Sequence, residues 1–331
     1  MKPTDISRTL TLLHGIRRPA FLWGPPGVGK SDIIKQFAQQ AGLRLIDFRM
    51  VYCEPVDMRG IPGIQNGRTV YHAPAELPDL TSGPSLLFFD EFNNAAPATQ
   101  AVGYQIMLDH RIGDFQLSPD CYIIAAGNRE SDRGVTYRMP SPLANRLVHL
   151  DYEVDLGDWC GWAVKAGIRV EVIAFLRFRP ELLRAEGGPQ GTDKAFPTPR
   201  SWQFVSEILD ASSQAPLGIE HEIYRGTVGE GASAEFAGFL RVFRDMPSID
   251  GILMAPATAE VPEGKPAVLY AITSALARRV TESNFDRVTT YLARLPAEYA
   301  ASCIHDVMAR EPKLQSHPAF TTWAATHGTI I

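Results

Sequence analysis

Residues 24–31 read Gly24-Pro25-Pro26-Gly27-Val28-Gly29-Lys30-Ser31, which fits the pattern GxxxxGK[ST]. Glycines at this spacing let the backbone curl until successive N–H groups point inward as an anion nest. A helix that begins at the nest turns its positive end toward the same anion. Lys30 would then reach the β- and γ-phosphates of a nucleoside triphosphate, and the Ser31 hydroxyl would bind Mg²⁺. Asp32, the next residue, is grouped with this phosphate-binding set. A second pattern is Leu86-Leu87-Phe88-Phe89-Asp90-Glu91. An apolar run delivers two acids at its carboxyl end, where the ligands of open α/β sheets sit. Asp90 would hold Mg²⁺ directly or through water, and Glu91 would polarise an attacking water as general base. A third run, Tyr122 to Gly127, ends at Asn128. An amide there can stand between a γ-phosphate and the water, although Asn after Gly is also a frequent turn residue.

These residues need strands and helices to hold them. Ala20–Trp23, Leu43–Phe48, Leu86–Phe89, Tyr122–Ala126 and Leu147–Tyr152 are short apolar runs bounded by Gly, Pro or polar residues, which predicts buried strands. Ser31–Ala41 and Ala98–Leu108 read as helices between them. Strands alternating with helices imply a mostly parallel α/β sheet. Asn66-Gly67 between Ile61–Gln65 and Arg68–His72 predicts a hairpin, because both central turn residues need positive φ. After about residue 155 the β-rich runs largely disappear. Val268, Ile272, Leu276 and Val280 repeat every four residues, and Phe285, Val288 and Leu292 follow a Ser283/Asn284 cap. The expected organisation is therefore an α/β nucleotide-binding domain over 1–155 and a helical region over 156–331.

Composition narrows the function classes. The chain has 331 residues, 45% hydrophobic and 21% charged, close to an ordinary globular average, which excludes wholesale disorder and a charge-rich coiled coil. A net charge of −5 argues against nucleic-acid binding through overall basicity. The charge is uneven: residues 1–150 carry 15 Lys and Arg against 14 Asp and Glu, and the rest carry 17 against 23. The acidic half is thus the better protein-contact surface. Cys53, Cys121, Cys160 and Cys303 have no metal-type spacing and read as buried reduced thiols. No signal-peptide region and no membrane-length apolar run is present, so a cytoplasmic location is expected. The eight histidines are scattered, and Trp159 and Trp162 read as helix packing.

Taken in order, GPPGVGKS, FFDEFNNA, IIAAGN, SPLANRLVHL and TPRSW resemble an AAA+ ATPase of the MoxR group, with its relatives the dynein-related AAA proteins and magnesium chelatase. The resemblance spans residues 20–202. It implies a P-loop NTPase core with β-hairpin insertions followed by an α-helical lid, binding ATP with Mg²⁺. It makes Asp90-Glu91 the Walker B pair and Asn128 sensor 1. It makes Arg146 an arginine finger, ahead of the competing Arg133 and Arg138 because it immediately precedes a strand, and Arg200 sensor 2, serving its own nucleotide or a neighbour's. The Asn66-Gly67 hairpin matches the helix 2 insertion of this branch, and the segment 111–119 matches a second, here short, hairpin insertion. A finger supplied by a neighbour implies head-to-tail contacts that close into a ring, and the family implies a homo-hexamer. Relatives commonly remodel or mature a partner protein, often with one that carries a von Willebrand factor A domain. The other readings are a nucleic-acid motor, and a nucleotide-dependent scaffold with little turnover.

Overall fold

The five apolar runs form five parallel strands in a computed structural model that describes residues 1–132, 137, 139–185, 194–214 and 216–327. The chain divides into two compact units, Met1–Asp155 and Leu156–Ile331. In the first, elements follow in the order α1 (Pro3–Gly15), β1 (Ala20–Trp23), α2 (Lys30–Gln40), β2 (Arg44–Arg49), α3 (Pro55–Arg59), β3 (Ile61–Gln65), β4 (Arg68–His72), β5 (Ser85–Asp90), α4 (Pro97–Asp109), β6 (Arg111–Ile112), β7 (Phe115–Gln116), β8 (Cys121–Gly127), α5 (Ser141–Ala144) and β9 (Val148–Asp151).

The central sheet has the order β2-β5-β8-β1-β9. Successive strand residues point to opposite faces, and both faces are covered. Leu86, Phe88, Ile124 and Leu22 enter one core with Ile34 and Phe37 of α2 and Ile6 and Leu10 of α1. Leu87, Phe89, Ile123 and Phe21 enter the other with Ile106 and Met107 of α4. Burial on both faces explains why the inner strands β1, β5 and β8 read as continuous apolar runs, whereas the edge strands β2 and β9 alternate with exposed residues. The order has one consequence for chemistry: β8 lies between β1 and β5, so whatever follows β8 stands between whatever follows the other two.

Two antiparallel hairpins interrupt the plan. β3 and β4 pair from Ile61↔His72 to Gln65↔Arg68, and their turn residues Asn66 and Gly67 have φ of 54° and 73°. β6 and β7 pair over two residues each.

The second unit is helical: α6 (Leu156–Lys165), α7 (Val170–Phe178), α8 (Pro199–Gln214), α9 (Glu220–Val228), α10 (Glu230–Arg244), α11 (Ile249–Met254), α12 (Pro266–Arg279), α13 (Phe285–Leu292), α14 (Ala297–Arg310) and α15 (Pro318–His327). Phe175 packs against Trp202, Phe236 and Phe239 with ring centroids 5.2–5.5 Å apart. A second core holds Ile272, Leu276, Phe285, Val288, Leu292 and Cys303. Val280 is buried there but lies just past the end of α12. The expected Asn284 cap takes a different form: its side chain accepts from Thr281 N at 2.8 Å instead of from the helix it precedes. Arg177 of α7 is deeply buried and donates to Asp306 of α14 and Ser274 of α12, joining three helices. Cys121, Cys160 and Cys303 are buried and Cys53 half-buried, and none of the four is in a disulfide. Among the described residues no helix is long and apolar enough to cross a membrane.

Candidate active site

The phosphate-type loop leaves β1 at Trp23 and is fixed on both sides by neighbouring strands. Gly24 N donates to Gly127 O at 3.2 Å, and Tyr152 N donates to Trp23 O at 2.7 Å. Val28 is buried and pins the loop into the core. Gly27 and Gly29 have φ of 75° and 102°, a backbone that a side chain would strain. Pro25 is buried and Pro26 exposed, and Asp32 is exposed on the first turn of α2, where a carboxylate favours the helix's positive end.

Lys30 is almost fully buried, at 8% exposure. Its ammonium donates to Gly24 O, to Pro25 O at 2.9 Å and to Asn128 Oδ1 at 3.0 Å. An ammonium has three donors and no acceptor, so each of these contacts is made by donation. The cation is therefore held over the nest by carbonyls and one carboxamide, partners that a phosphate oxygen can replace with a stronger charge-assisted bond.

Ser31 Oγ donates to Asp90 Oδ2 at 2.6 Å. Asp90 is itself buried, and its other oxygen accepts from Glu91 N at 2.9 Å. A hydroxyl oxygen and a carboxylate oxygen thus converge. This is the hard donor set that Mg²⁺ takes before completing its shell with phosphate oxygens and water. Asp47 on β2, which the sequence reading passed over, feels the same negative potential. Its burial first, then the neighbouring Asp90 carboxylate, push its carboxyl above the ordinary value.

Glu91 sits at φ 53° and ψ 35°, in the left-handed region. For a residue with a Cβ this costs on the order of 1 kcal/mol, a strain that persists only where surrounding structure imposes it. It ends β5 abruptly and leaves Glu91 exposed beside buried Asp90. The surroundings that impose it are the buried Phe92 and Asn93 of the following single 3₁₀ turn. Asn93 is a second residue that sequence reasoning missed. It is 2% exposed, and its side chain donates to Asn128 O at 2.6 Å and accepts from Asn128 N at 3.0 Å.

Arg146 is exposed in the turn between α5 and β9, with its N donating to Leu143 O at 2.8 Å. The turn is tied to the phosphate-type loop's own strand. His149 Nδ1 accepts from Trp23 Nε1 at 2.8 Å, and its Nε2 lies 2.8 Å from Ala144 O. A carbonyl can only accept and an indole can only donate, so the imidazole is the neutral Nε2–H tautomer. Arg133 and Arg138 lie outside the described residues. Arg200 belongs to the second unit, exposed on the first turn of α8. Its neighbours are structural: Thr198 Oγ1 accepts from Ser201 N at 3.0 Å while Ser201 Oγ accepts from Thr198 N at 2.7 Å, and buried Trp202 donates to Leu182 O at 2.6 Å. Arg200 is the residue of that motif left facing solvent.

Residues 20–149 match the family described as "ATPase family associated with various cellular activities (AAA)". The human ATPase family gene 2 protein homolog B is 30% identical over 157 residues, covering 44% of this chain and 20% of that protein. Its rat counterpart is 30% identical over 145 residues, covering 40% of this chain and 18% of that protein. The match thus spans about a fifth of the length of these curated relatives. A solved structure of NtrX from Brucella abortus aligns with 99% of this chain and 68% of its own, at 14% identity and a TM-score of 0.43. That likeness is too loose to bear on function. The similarity to that family therefore lies within the first unit, over residues 20–149.

Proposed function

We propose that the first unit is an AAA-family ATPase domain that binds and hydrolyses Mg-ATP, and that the chain is a MoxR-type member whose turnover remodels or matures a partner protein. The observation that carries the reading is the meeting of three motifs distant in sequence. Lys30 contacts Asn128, and Ser31, next along α2, contacts Asp90. Phosphate-binding loop, acidic pair and polar strand end converge as phosphoryl transfer requires, since its catalysis is mostly positioning and charge stabilisation.

The roles follow from the chemistry of each group. The loop amides and Lys30 bind the β- and γ-phosphates. Ser31 and Asp90 hold Mg²⁺, which neutralises charge on the phosphate oxygens. Glu91 takes a proton from the attacking water, and Asn128 orients that water against the γ-phosphate. Arg146, exposed at the edge of the sheet, stabilises transition-state charge at a neighbour's nucleotide, and Arg200 contributes from the helical region. Fingers supplied from subunit to subunit imply a closed ring, here a homo-hexamer. The two hairpins between the core elements, β3–β4 and β6–β7, support the MoxR assignment, as do the five motifs in order. A partner with a von Willebrand factor A domain is the client class this assignment favours.

The test is phosphate release by the purified chain. Mg²⁺-dependent turnover that Lys30→Ala lowers by at least about a hundredfold is expected. Absence of turnover in the unmodified chain, with ATP bound, would favour the scaffold reading instead.

A further inference from the structure

The ladder between β5 and β8 ends at Phe89↔Ala125. Beyond it the β5 chain turns away at Glu91, and the two strand ends would separate. Asn93 closes the gap. Its carboxamide presents one donor and one acceptor, as a peptide group does, and pairs with both the O and the N of Asn128. The side chain therefore supplies one more rung to the ladder, after the backbone of β5 has left it.

Gly127 is the other half of this fit. A Cβ at Gly127 would lie 2.2 Å from Asn93 Oδ1, closer than atoms can pack. Only a residue without a side chain lets the carboxamide reach the neighbouring backbone. The same Gly127 carbonyl accepts from Gly24 N of the phosphate-type loop. On its other side the Asn93 carbonyl accepts from Tyr137 N at 2.7 Å, in the segment between Asn128 and Arg146. One buried residue, two positions after Glu91, thus touches the backbone of Asn128 and of the segment that leads to Arg146.

We infer that Asn93 is a positioning residue for turnover: it fixes where the Asn128 carboxamide stands relative to Glu91. This rests on the proposal that Asn128 and Glu91 act on ATP. Asn93 makes no contact with Lys30, Ser31 or the loop amides in the hydrogen-bond network described above, so nucleotide binding does not depend on it. Its loss displaces a catalytic amide, which an enzyme feels in the chemical step rather than in affinity.

The experiment compares Asn93→Ala, Asn93→Asp and Gly127→Ala with the unmodified full chain. Asn93→Asp keeps the acceptor for Asn128 N but sets a carboxylate oxygen against Asn128 O. Gly127→Ala attacks the same fit from the opposite side. In all three, turnover per folded molecule at saturating ATP is expected to fall by at least about thirtyfold; in the two Asn93 variants the ATP dissociation constant changes by less than about threefold, whereas Gly127→Ala, whose carbonyl holds Gly24 N of the loop, carries no such condition. Hydrogen exchange at the Asn128 N–H reads the same contact without turnover and is expected to accelerate by at least about tenfold in Asn93→Ala. A merely structural residue would lower the unfolding temperature and leave turnover per folded molecule intact, which overturns the inference. So does unchanged protection at Asn128 N–H, whether or not the chain hydrolyses ATP. Failure of the unmodified chain to hydrolyse ATP would instead count against the proposed function, with the exchange measurement still deciding the clamp.

Discussion

Lys30 Nζ donates to Asn128 Oδ1 across 3.0 Å, linking the start of α2 to the end of β8. The contact puts a neutral acceptor where a γ-phosphate oxygen is proposed to compete. Asn128→Ala is expected to leave ATP affinity within about threefold and to lower turnover by about a hundredfold. Asn128→Asp goes further. Its carboxylate pairs with the ammonium and repels the phosphate, so ATP binding weakens by at least about tenfold. Titration with a fluorescent ATP analogue checks both. Wild-type affinity in Asn128→Asp would remove Lys30 from phosphate binding at this point.

Arg146 offers a test of action between subunits. Arg146→Ala is expected to lose about a thousandfold in turnover, the range of arginine fingers. Its own loop remains intact, whereas Lys30→Ala has an intact finger and a defective loop. Mixing the two inactive variants before assembly is expected to restore a measurable fraction of turnover, because some interfaces then pair a good finger with a good loop. Mixtures that stay inactive at every ratio contradict a finger supplied in trans.

The buried pair of Arg177 and Asp306 predicts a stability effect far from any nucleotide. Their side chains are 7% and 5% exposed. Removing one partner strands the other charge in the core, so Asp306→Ala is expected to destabilise the helical unit by about 3–5 kcal/mol. Chemical denaturation followed by circular dichroism measures it. A loss below about 1 kcal/mol would mean that water reaches Arg177.

His110 gives a pH dependence. Burial, reinforced by the Arg17 cation, holds its imidazole below the ordinary value. The folded chain therefore binds this proton less readily than the unfolded chain does. The contribution to stability is present above the unfolded pKa and is lost as pH falls from there through the lower, folded pKa. The thermal midpoint should drop as pH falls below about 6.5, and His110→Asn, which tolerates the left-handed φ of 50° at this position, should flatten that part of the profile. An unchanged slope in the variant assigns the drop to other groups.

Much of this architecture was legible before any coordinates. The strand at Ala20–Trp23 coincides with its apolar run, and the other four differ by one residue at each end; β1, β5 and β8 were the plainest because strands buried on both faces need unbroken apolar sequence. The Asn66-Gly67 hairpin was legible because so few residues accept its turn. Lys30, Ser31, Asp90, Glu91 and Asn128 were legible because their chemistry restricts residue type and order. Asn93 was not. In sequence it is one of two asparagines after an acidic pair, and its role arises only when β8 is laid beside β5. Trp23 and His149, 126 residues apart, meet only across the β1–β9 pair. Arg177 and Asp306, 129 residues apart, meet only when α7 and α14 pack. Pairings of this kind are set by tertiary register, which local pattern does not encode.

Glu91, strained and exposed beside a buried Asp90, is proposed to activate water against ATP. The direct measurement is phosphate release by Glu91→Gln beside the unmodified chain, with bound nucleotide quantified after gel filtration. Glu91→Gln is expected to retain ATP while turnover falls by about a hundredfold to ten-thousandfold, the range of a lost general base. Turnover by Glu91→Gln at the unmodified rate would contradict it.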